Sequence, residues 1–559
     1  MLVPIGCKRV GAGRARVVRG SPVCVMAERS VLGGFSGSLE PSVLILSRLR
    51  VGGTHERGDR ESTRPPPLQR RETRPDGVVQ RSFDVAGDDR VSFTAHGGRL
   101  YRHGSGVDAG RVNHRRAARV SRVPFAADVR GRHRYAYVLL AVAAAAPRVA
   151  ALLYERGDIL AAYTDKSEDF ARTFIDSGTY GFIPGVPSAY TQPLYGFFLI
   201  PIYWLSDRSW LAVGLAQIAV AVVTAWLVFE IGRRVASDRV AVGAALLATL
   251  HPYLVWHDVH LNREILDHAL AAAVVLLALL AAERGSSLWW PAFVGAGLGV
   301  AILGNARLLL LPLVLGAWLA LRQSGVRALL VLLIVPTTSA VVLAPWVVRN
   351  EISVGCPAVT TDSRALWKAN NLNTYSVLDR GGWIDDVPPF PGSPPSPQDA
   401  AAIYEKTGRV VRVDECAQMR FYRDEVVDFW REHPGEKLRL AGQAARLLWQ
   451  PNVLETEGRP GAGTWQDTAR SVVEPAFMIA LYLFGAIGLF VLPRLFTTLA
   501  VVLLGYQTLI AMLFAGATRY RVPWDFLIAV LAAAGIGAIA ARLRRKSLRY
   551  EAPSSKAAR

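Results

Sequence analysis

Cysteine is scarce in this chain, and what there is does not form a metal pattern. The 559 residues hold four, at Cys7, Cys24, Cys356 and Cys416, with no CxxC pair of the zinc type. No HExxH occurs, which excludes the helical metalloprotease signature. His257, Asp258, His260 and Glu264 form a weaker HxxH pattern with carboxylates. Polar capping of two helix ends at the membrane interface explains them more simply. Internal repeats are missing, and with them the mark of repeat-built transporters. Residues 1–133 lack any sustained helical or strand period. They are rich in Arg, Gly, Ser and Val, so a disordered basic region is expected, either a lipid-binding arm or a dispensable tail. Its one apolar run, Val43–Ser47, is too short to span a bilayer.

Long apolar blocks are what the chain has instead. Hydrophobic residues make up 51%, mean hydropathy is +0.25, and net charge is +19. The apolar residues gather in blocks of about 20, the length that crosses roughly 30 Å of hydrocarbon. Only helices and closed barrels satisfy their backbone there, so an all-α polytopic membrane protein is expected. The excess charge lies at the N-terminus and at helix ends, where the positive-inside rule accounts for it. No nucleic-acid partner is needed.

Tyr135–Tyr154 reads as the first span, an uncleaved anchor behind Arg130, Arg132 and Arg134. Further blocks cover 209–231, 238–256, 264–282, 287–303, 306–321, 327–347, 472–492, 495–515 and 522–542. The segment 190–206 decides the topology. If it crosses, Arg233, Arg234, Arg322, Arg327 and the run Arg542–Lys546 all fall outside. If it only enters the outer face, they all fall in the cytoplasm, as charge bias favours. Pro193 and Pro201 also suit an irregular segment. Ten spans are expected, with a cytoplasmic N-terminus, in the cell's inner (plasma) membrane.

The expected organisation is therefore a basic region 1–133, then a membrane bundle 134–348 with a first outer loop 155–208. A small α+β extracytoplasmic cap 349–470, C-terminal membrane helices 471–545 and a cytoplasmic tail 546–559 follow. In the cap, 349–371 is strand-like, a Pro-rich loop comes next, and 399–432 and 435–449 have helical spacing. Cys356 and Cys416 both lie there; a disulfide and two free thiols are equally open.

Charged residues collect on the outer side. Asp165, Glu168 and Asp169 lie at i, i+3 and i+4 and would share one helical face. A carboxylate there suits a general base for an acceptor hydroxyl, since desolvation at a lipid boundary raises its pKa. The plainer alternative is a solvated acidic patch, and a divalent-cation site is a third reading. Arg263, Arg307, Arg349, Arg519 and Arg521 sit at outer helix ends, where positive charge is disfavoured. They ask for an anion, either a phosphate or carboxylates such as Asp258, Glu264, Glu351 and Asp525. Tyr180, Phe182, Tyr190, Tyr195, Tyr203 and Trp204 fit an interfacial belt or a sugar-contacting surface. Asp267 and His268 fall inside a span and are expected to face the bundle interior.

Several motifs resemble a known family. They are SGTYGF and PSAYTQPLYGFFL in the first outer loop, PWVVRN at Pro345–Asn350, ALWKANN at Ala365–Asn371, and RYRVP at Arg519–Pro523. Together they resemble the bacterial relatives of the dolichyl-phosphate-mannose protein mannosyltransferases. These belong to the GT-C class, with the lipid A aminoarabinose transferases. The resemblance covers about 135–542. It implies a GT-C-like bundle, a polyprenyl-phosphate-linked sugar donor, and transfer on the extracytoplasmic face to a lipid, glycan or protein acceptor. It implies an acidic residue of the first loop as base, carried onto Asp165 first and Asp169 second. The family's adjacent Asp-Glu is here DKSED, so the correspondence stays open. Basic roles map onto Arg349 and onto Arg519 or Arg521, a turn onto Pro193 and Tyr195, and a binding role onto Asn371.

The expected function is thus transfer of a sugar from a polyprenyl-phosphate donor to an acceptor hydroxyl. Rivals from other classes are a lipid-substrate transporter or flippase and a catalytically inactive envelope scaffold.

Overall fold

A computed structural model describes residues 129–161, 165–285, 287–389, 392–451 and 468–551. Residues 1–128 of the expected basic region lie outside them, and with them Val43–Ser47, Cys7 and Cys24. Among the described residues the elements are helical, and strand pairing is limited to one isolated bridge between Ile183 and Val186.

Seven helices are long and apolar enough to cross a membrane: His133–Leu160, Trp210–Val235, Glu264–Glu283, Val326–Val354, Ser471–Val491, Arg494–Leu513 and Thr518–Lys546. They coincide with seven of the ten expected spans. Two more expected spans are the shorter helices Trp289–Gly304 and Ala306–Ala320. The tenth, 238–256, is not one helix. It breaks into Asp238–Thr249 and Pro252–His257, because Pro252 brings no amide to the ladder and opens the second piece.

The labels used below are α1 (Val129–Glu155), α2 (Lys166–Ser177), α3 (Pro193–Ser206), α4 (Trp210–Val235), α5 (Asp238–Thr249), α6 (Pro252–His257), α7 (Glu264–Glu283), α8 (Trp289–Gly304), α9 (Leu311–Ala320) and α10 (Val326–Val354). The cap holds α11 (Arg364–Lys368), α12 (Thr374–Asp379), α13 (Pro397–Thr407), α14 (Glu415–Glu432) and α15 (Pro434–Trp449). The chain closes with α16 (Glu474–Val491), α17 (Arg494–Leu513), α18 (Thr518–Arg521) and α19 (Asp525–Glu551).

One apolar core runs through α1, α4, α5, α7, α8, α9, α10, α17 and α19. Helix α16 packs on α19 at glycine: a Cβ on Gly488 would lie 1.9 Å from Leu531 O, so only glycine permits that crossing. Inside the bundle, Arg148 of α1 is buried and donates to Asp258 at 2.8 Å and to Thr249 O at 2.9 Å. A buried charge in a bundle is tolerable when so paired.

The segment expected to be irregular is helix α3. Pro193 opens it and Pro201 lies within it. Its 14 residues rise only about 21 Å at 1.5 Å each, less than the roughly 30 Å of a bilayer core.

The cap is helical where an α+β insert was expected. The strand-like stretch after α10 has no regular structure and meets the first loop at two points: Thr361 N donates to Ala189 O (2.9 Å) and Thr360 Oγ1 to Tyr190 O (2.8 Å). With no second rung beside it, no ladder forms. The expected helix 399–432 is two, α13 and α14, because Gly408 ends α13 at φ 68°. Cys356 and Cys416 form a disulfide, with Cα atoms 5.9 Å apart. It ties the end of α10 to the start of α14.

Candidate active site

A cavity of about 980 Å³ lies between the first loop, the cap and the ends of the bundle helices next to them. Asp165, Gln192, Arg263, Arg307, Arg519 and Tyr520 all line it.

Asp165 is the N-cap of α2. Its backbone is extended (φ −74°, ψ 143°), and its Oδ1 accepts from Ser167 N at 2.9 Å and Ser167 Oγ at 2.6 Å. A short polar side chain ahead of an apolar-periodic run is the local signal for this. The cap occupies one oxygen. The other, Oδ2, stands 4.0 Å from Arg263 Nε. Burial pushes the carboxyl up, but Arg263, the Ser167 hydroxyl and amide, and Arg519 outweigh it. They hold Asp165 below the ordinary carboxylate range, the reverse of the upward shift expected from desolvation alone.

Arg263 precedes α7. Its Nη1 donates to Gln192 Oε1 at 2.7 Å, joining α7 to the start of α3. Burial lowers its pKa, yet Asp165, Glu264 and Asp267 more than compensate, so its charge is secure.

Arg307 is presented by a tight turn, Ala306–Leu308, between α8 and α9. Asn305 leaves the helical region (φ −147°, ψ 95°) and its Oδ1 accepts from Arg307 N at 3.2 Å. Asn305 Nδ2 is anchored on Asp267 Oδ2 at 3.0 Å, and Tyr506 holds Arg307 O at 2.7 Å. The guanidinium lies 3.4 Å from the Tyr520 ring centroid and 5.7 Å from that of Phe514. Arg519 follows α17 and donates through Nε to Glu264 Oε1 at 2.8 Å.

The wall beside these cations is apolar: Leu309, Ala340, Leu343, Ala344 and Val347. The opposite wall belongs to the cap and carries Asp362, Trp383 and Asp385.

The other sequence candidates sit elsewhere. Glu168 is buried on the far side of α2, with Arg208 Nε at 2.7 Å and Tyr203 Oη at 3.4 Å. Asp169 is exposed. The three carboxylates do not share a face, because Asp165 precedes the helix and its backbone is not helical. Arg349 fastens the first loop, donating to Ser188 O (2.8 Å) and Tyr180 O (3.0 Å). Arg521 is fully buried, bonded to Asp525 (3.0 Å) and Leu448 O (2.6 Å). Tyr195 donates to Gln217 Oε1 at 2.6 Å, and Gln217 in turn holds Asp258 O and His260 O. It therefore braces the segment behind the cavity. Asn371 binds the backbone of Trp367 and Lys368 and borders a separate cap cavity of about 360 Å³. Lys166, Asp362, Trp383 and Asp385 were not singled out in the sequence, where nothing marks them among the other polar cap residues.

Among the described residues, no group of three His, Cys, Asp or Glu side chains is arranged to hold a metal ion. Of the HxxH set, Asp258 is taken by Arg148 and Glu264 by Arg519, while His257 stacks on Tyr253 with centroids 3.8 Å apart.

Residues 190–348 match the model of a family described as dolichyl-phosphate-mannose-protein mannosyltransferase. The match includes Gln192, Arg263 and Arg307. Asp165 and Arg519 lie on either side of it. The chain resembles a GT-C glycosyltransferase. The match and the apolar helices together support a multi-pass membrane transferase of that class. An Archaeoglobus fulgidus oligosaccharyltransferase, solved with a tethered acceptor peptide, overlaps at 13% identity and a TM-score of 0.39. That overlap covers 74% of this chain and 50% of the other, so this chain spans about half its length. ArnT from Cupriavidus metallidurans overlaps at 15% identity and a TM-score of 0.30, covering 74% and 80%. Both superpositions are loose. No curated protein matches the chain.

Proposed function

We propose that this chain transfers a hexosyl or pentosyl group from a polyprenyl-phosphate donor to an acceptor hydroxyl on the extracytoplasmic face. The observation that carries the reading is the cavity itself. It brings Arg263, Arg307 and Arg519 together with Asp165 beside an apolar wall.

The donor phosphate lies against Arg307, with Arg263 and Arg519 adding charge. Guanidinium groups suit phosphate oxygens in number and planarity. The prenyl chain leaves along Leu309, Ala344 and Val347 towards lipid. As the acceptor oxygen bonds to the anomeric carbon, the bond from that carbon to the phosphate oxygen breaks. The electron pair leaves with polyprenyl phosphate, and the arginines stabilise the growing charge. The acceptor's proton passes to Asp165 Oδ2, the oxygen the helix cap leaves free. A carboxylate of low pKa is a weak base. It suits a reaction in which the hydroxyl gives up its proton late, and it also stabilises positive charge on the sugar ring. Holding both substrates in one cavity supplies much of the rate.

A transporter would need an open path through the bundle. Inside the bundle, Arg148 and Asp258 are instead buried and paired with each other. The deciding experiment is transfer by the purified protein in nanodiscs from radiolabelled polyprenyl-phosphate sugars. Product formed by the wild type and lost in Asp165→Ala supports the reading. Full transfer by a folded Asp165→Ala protein sinks the base assignment.

A further inference from the structure

The cavity is large for a single-ligand site, and its lining differs in chemistry from one part to another. Its volume, about 980 Å³, stands at the upper end of the roughly 300–1,000 Å³ of single-ligand pockets. The bundle end carries the three arginines. The cap end mixes both signs and an aromatic face.

Lys166 Nζ lies 3.4 Å from Asp362 Oδ2, so a donor and an acceptor stand side by side at the spacing of neighbouring ring hydroxyls. Burial pushes the Lys166 ammonium down, but Asp362 and Asp385 outweigh it and hold the lysine charged. An ammonium has three donors, and the ion pair uses one. Asp385 keeps 63% of its side chain open. Lys368 Nζ fixes its backbone, donating to Asp385 O at 2.7 Å. Trp383, two residues earlier, is held by its own amide, which donates to Asp386 Oδ2 at 2.7 Å. Gly381, at φ 80°, makes the turn that delivers it. Trp383 thus places an indole in the same cavity as that pair, its ring centroid 5.9 Å from the Arg519 guanidinium and 6.0 Å from that of Tyr520.

An indole face for ring C–H groups, with charged pairs that bridge adjacent hydroxyls, is chemistry that recognises a carbohydrate. Building on the transferase reading, we infer that the wall formed by Lys166 of α2 with Asp362, Trp383 and Asp385 of the cap is an acceptor subsite for the end of a neutral glycan. The glycan's terminal hydroxyl is then presented to Asp165 Oδ2.

The test measures binding to the full-length protein in nanodiscs by calorimetry. The probes are undecaprenyl phosphate, a panel of neutral trisaccharides (mannotriose, maltotriose, arabinotriose) and a Ser/Thr-rich decapeptide. Undecaprenyl phosphate and at least one trisaccharide are expected to bind. Asp385→Asn changes an open side chain, so the fold is retained. It should weaken the trisaccharide about tenfold, the scale of one charged hydrogen bond, and leave undecaprenyl phosphate unchanged. Arg307→Ala should do the converse. If undecaprenyl phosphate binds and no trisaccharide does, or if Asp385→Asn weakens the decapeptide instead, the glycan assignment is overturned. If undecaprenyl phosphate itself does not bind, the transferase reading fails first and takes the acceptor inference with it.

Discussion

Arg519 donates Nε and Nη2 to the same oxygen, Glu264 Oε1, and Glu264 is buried. Arg307, in the same cavity, is in no ion pair among the described residues and stacks on Tyr520 instead. One cation is therefore paired with a buried carboxylate, and the other with an aromatic face.

The two arginines should separate by mutation. Arg307→Ala removes one charged hydrogen-bonding partner of the phosphate, worth about 1.5–3 kcal/mol. The donor KM should rise roughly tenfold to a hundredfold, with Tm unchanged. Arg519→Ala strands a buried carboxylate. Because Arg519 is 28% exposed, its cost should fall at the lower end of the ~3–5 kcal/mol for breaking a buried pair, seen as a drop in Tm. Adding Glu264→Gln to Arg519→Ala should restore much of the Tm. Equal behaviour of the two single variants would end the distinction.

Asp165 has two separable tasks, one per oxygen. Asp165→Asn keeps an oxygen that can accept from Ser167 N and so keeps the cap. Asp165→Ala loses it, at about 0.5–2 kcal/mol. Both should lower kcat by roughly a hundredfold or more, the scale of a positioned general base. Only Asp165→Ala should also lower Tm. A fully active Asp165→Asn protein would leave Asp165 as a helix cap and nothing else.

The pH profile follows from the sign of the Asp165 shift. Its folded pKa lies below the ordinary 3.8, so the folded state favours the ionised form. The matching stability is complete above the unfolded value and is lost as pH falls through the folded one. Activity should therefore show no acid limb near neutrality from this group. A kcat/KM profile falling with an apparent pKa of about 6–7, and losing that limb in Asp165→Asn, would contradict the environment described.

The long helices were legible because their signal is local. Blocks of about 20 apolar residues can hardly do otherwise in lipid. The exceptions are local too: Pro252 breaks 238–256, and Gly408 breaks 399–432. The site was only half legible. Arg263, Arg349, Arg519 and Arg521 all read as charges at outer helix ends. What separates them is their partners, and those are remote. Arg349 is taken up by Ser188 O and Tyr180 O, 161 and 169 residues away, and Arg521 by Leu448 O, 73 away. Sequence locates a charge near the mouth; only packing tells a staple from a ligand.

The disulfide offers a test of orientation that does not depend on activity. Cys356 and Cys416 are both buried and close a loop of 60 residues between α10 and α14. Such bonds persist in oxidising compartments and are rare in the cytosol. If the cap is extracytoplasmic, a Cys7→Ser/Cys24→Ser protein in intact cells should resist a membrane-impermeant maleimide. It should take up two labels once an impermeant reductant has acted from outside. Replacing both remaining cysteines by serine should cost about 2–4 kcal/mol, read as a fall in Tm, since the bond limits how far the cap can move from the bundle once unfolded. Labelling that needs permeabilised cells would place the cap in the cytoplasm and with it the cavity, the arginines and Asp165, whereas labelling of intact cells without reductant would show free thiols outside and overturn the disulfide instead.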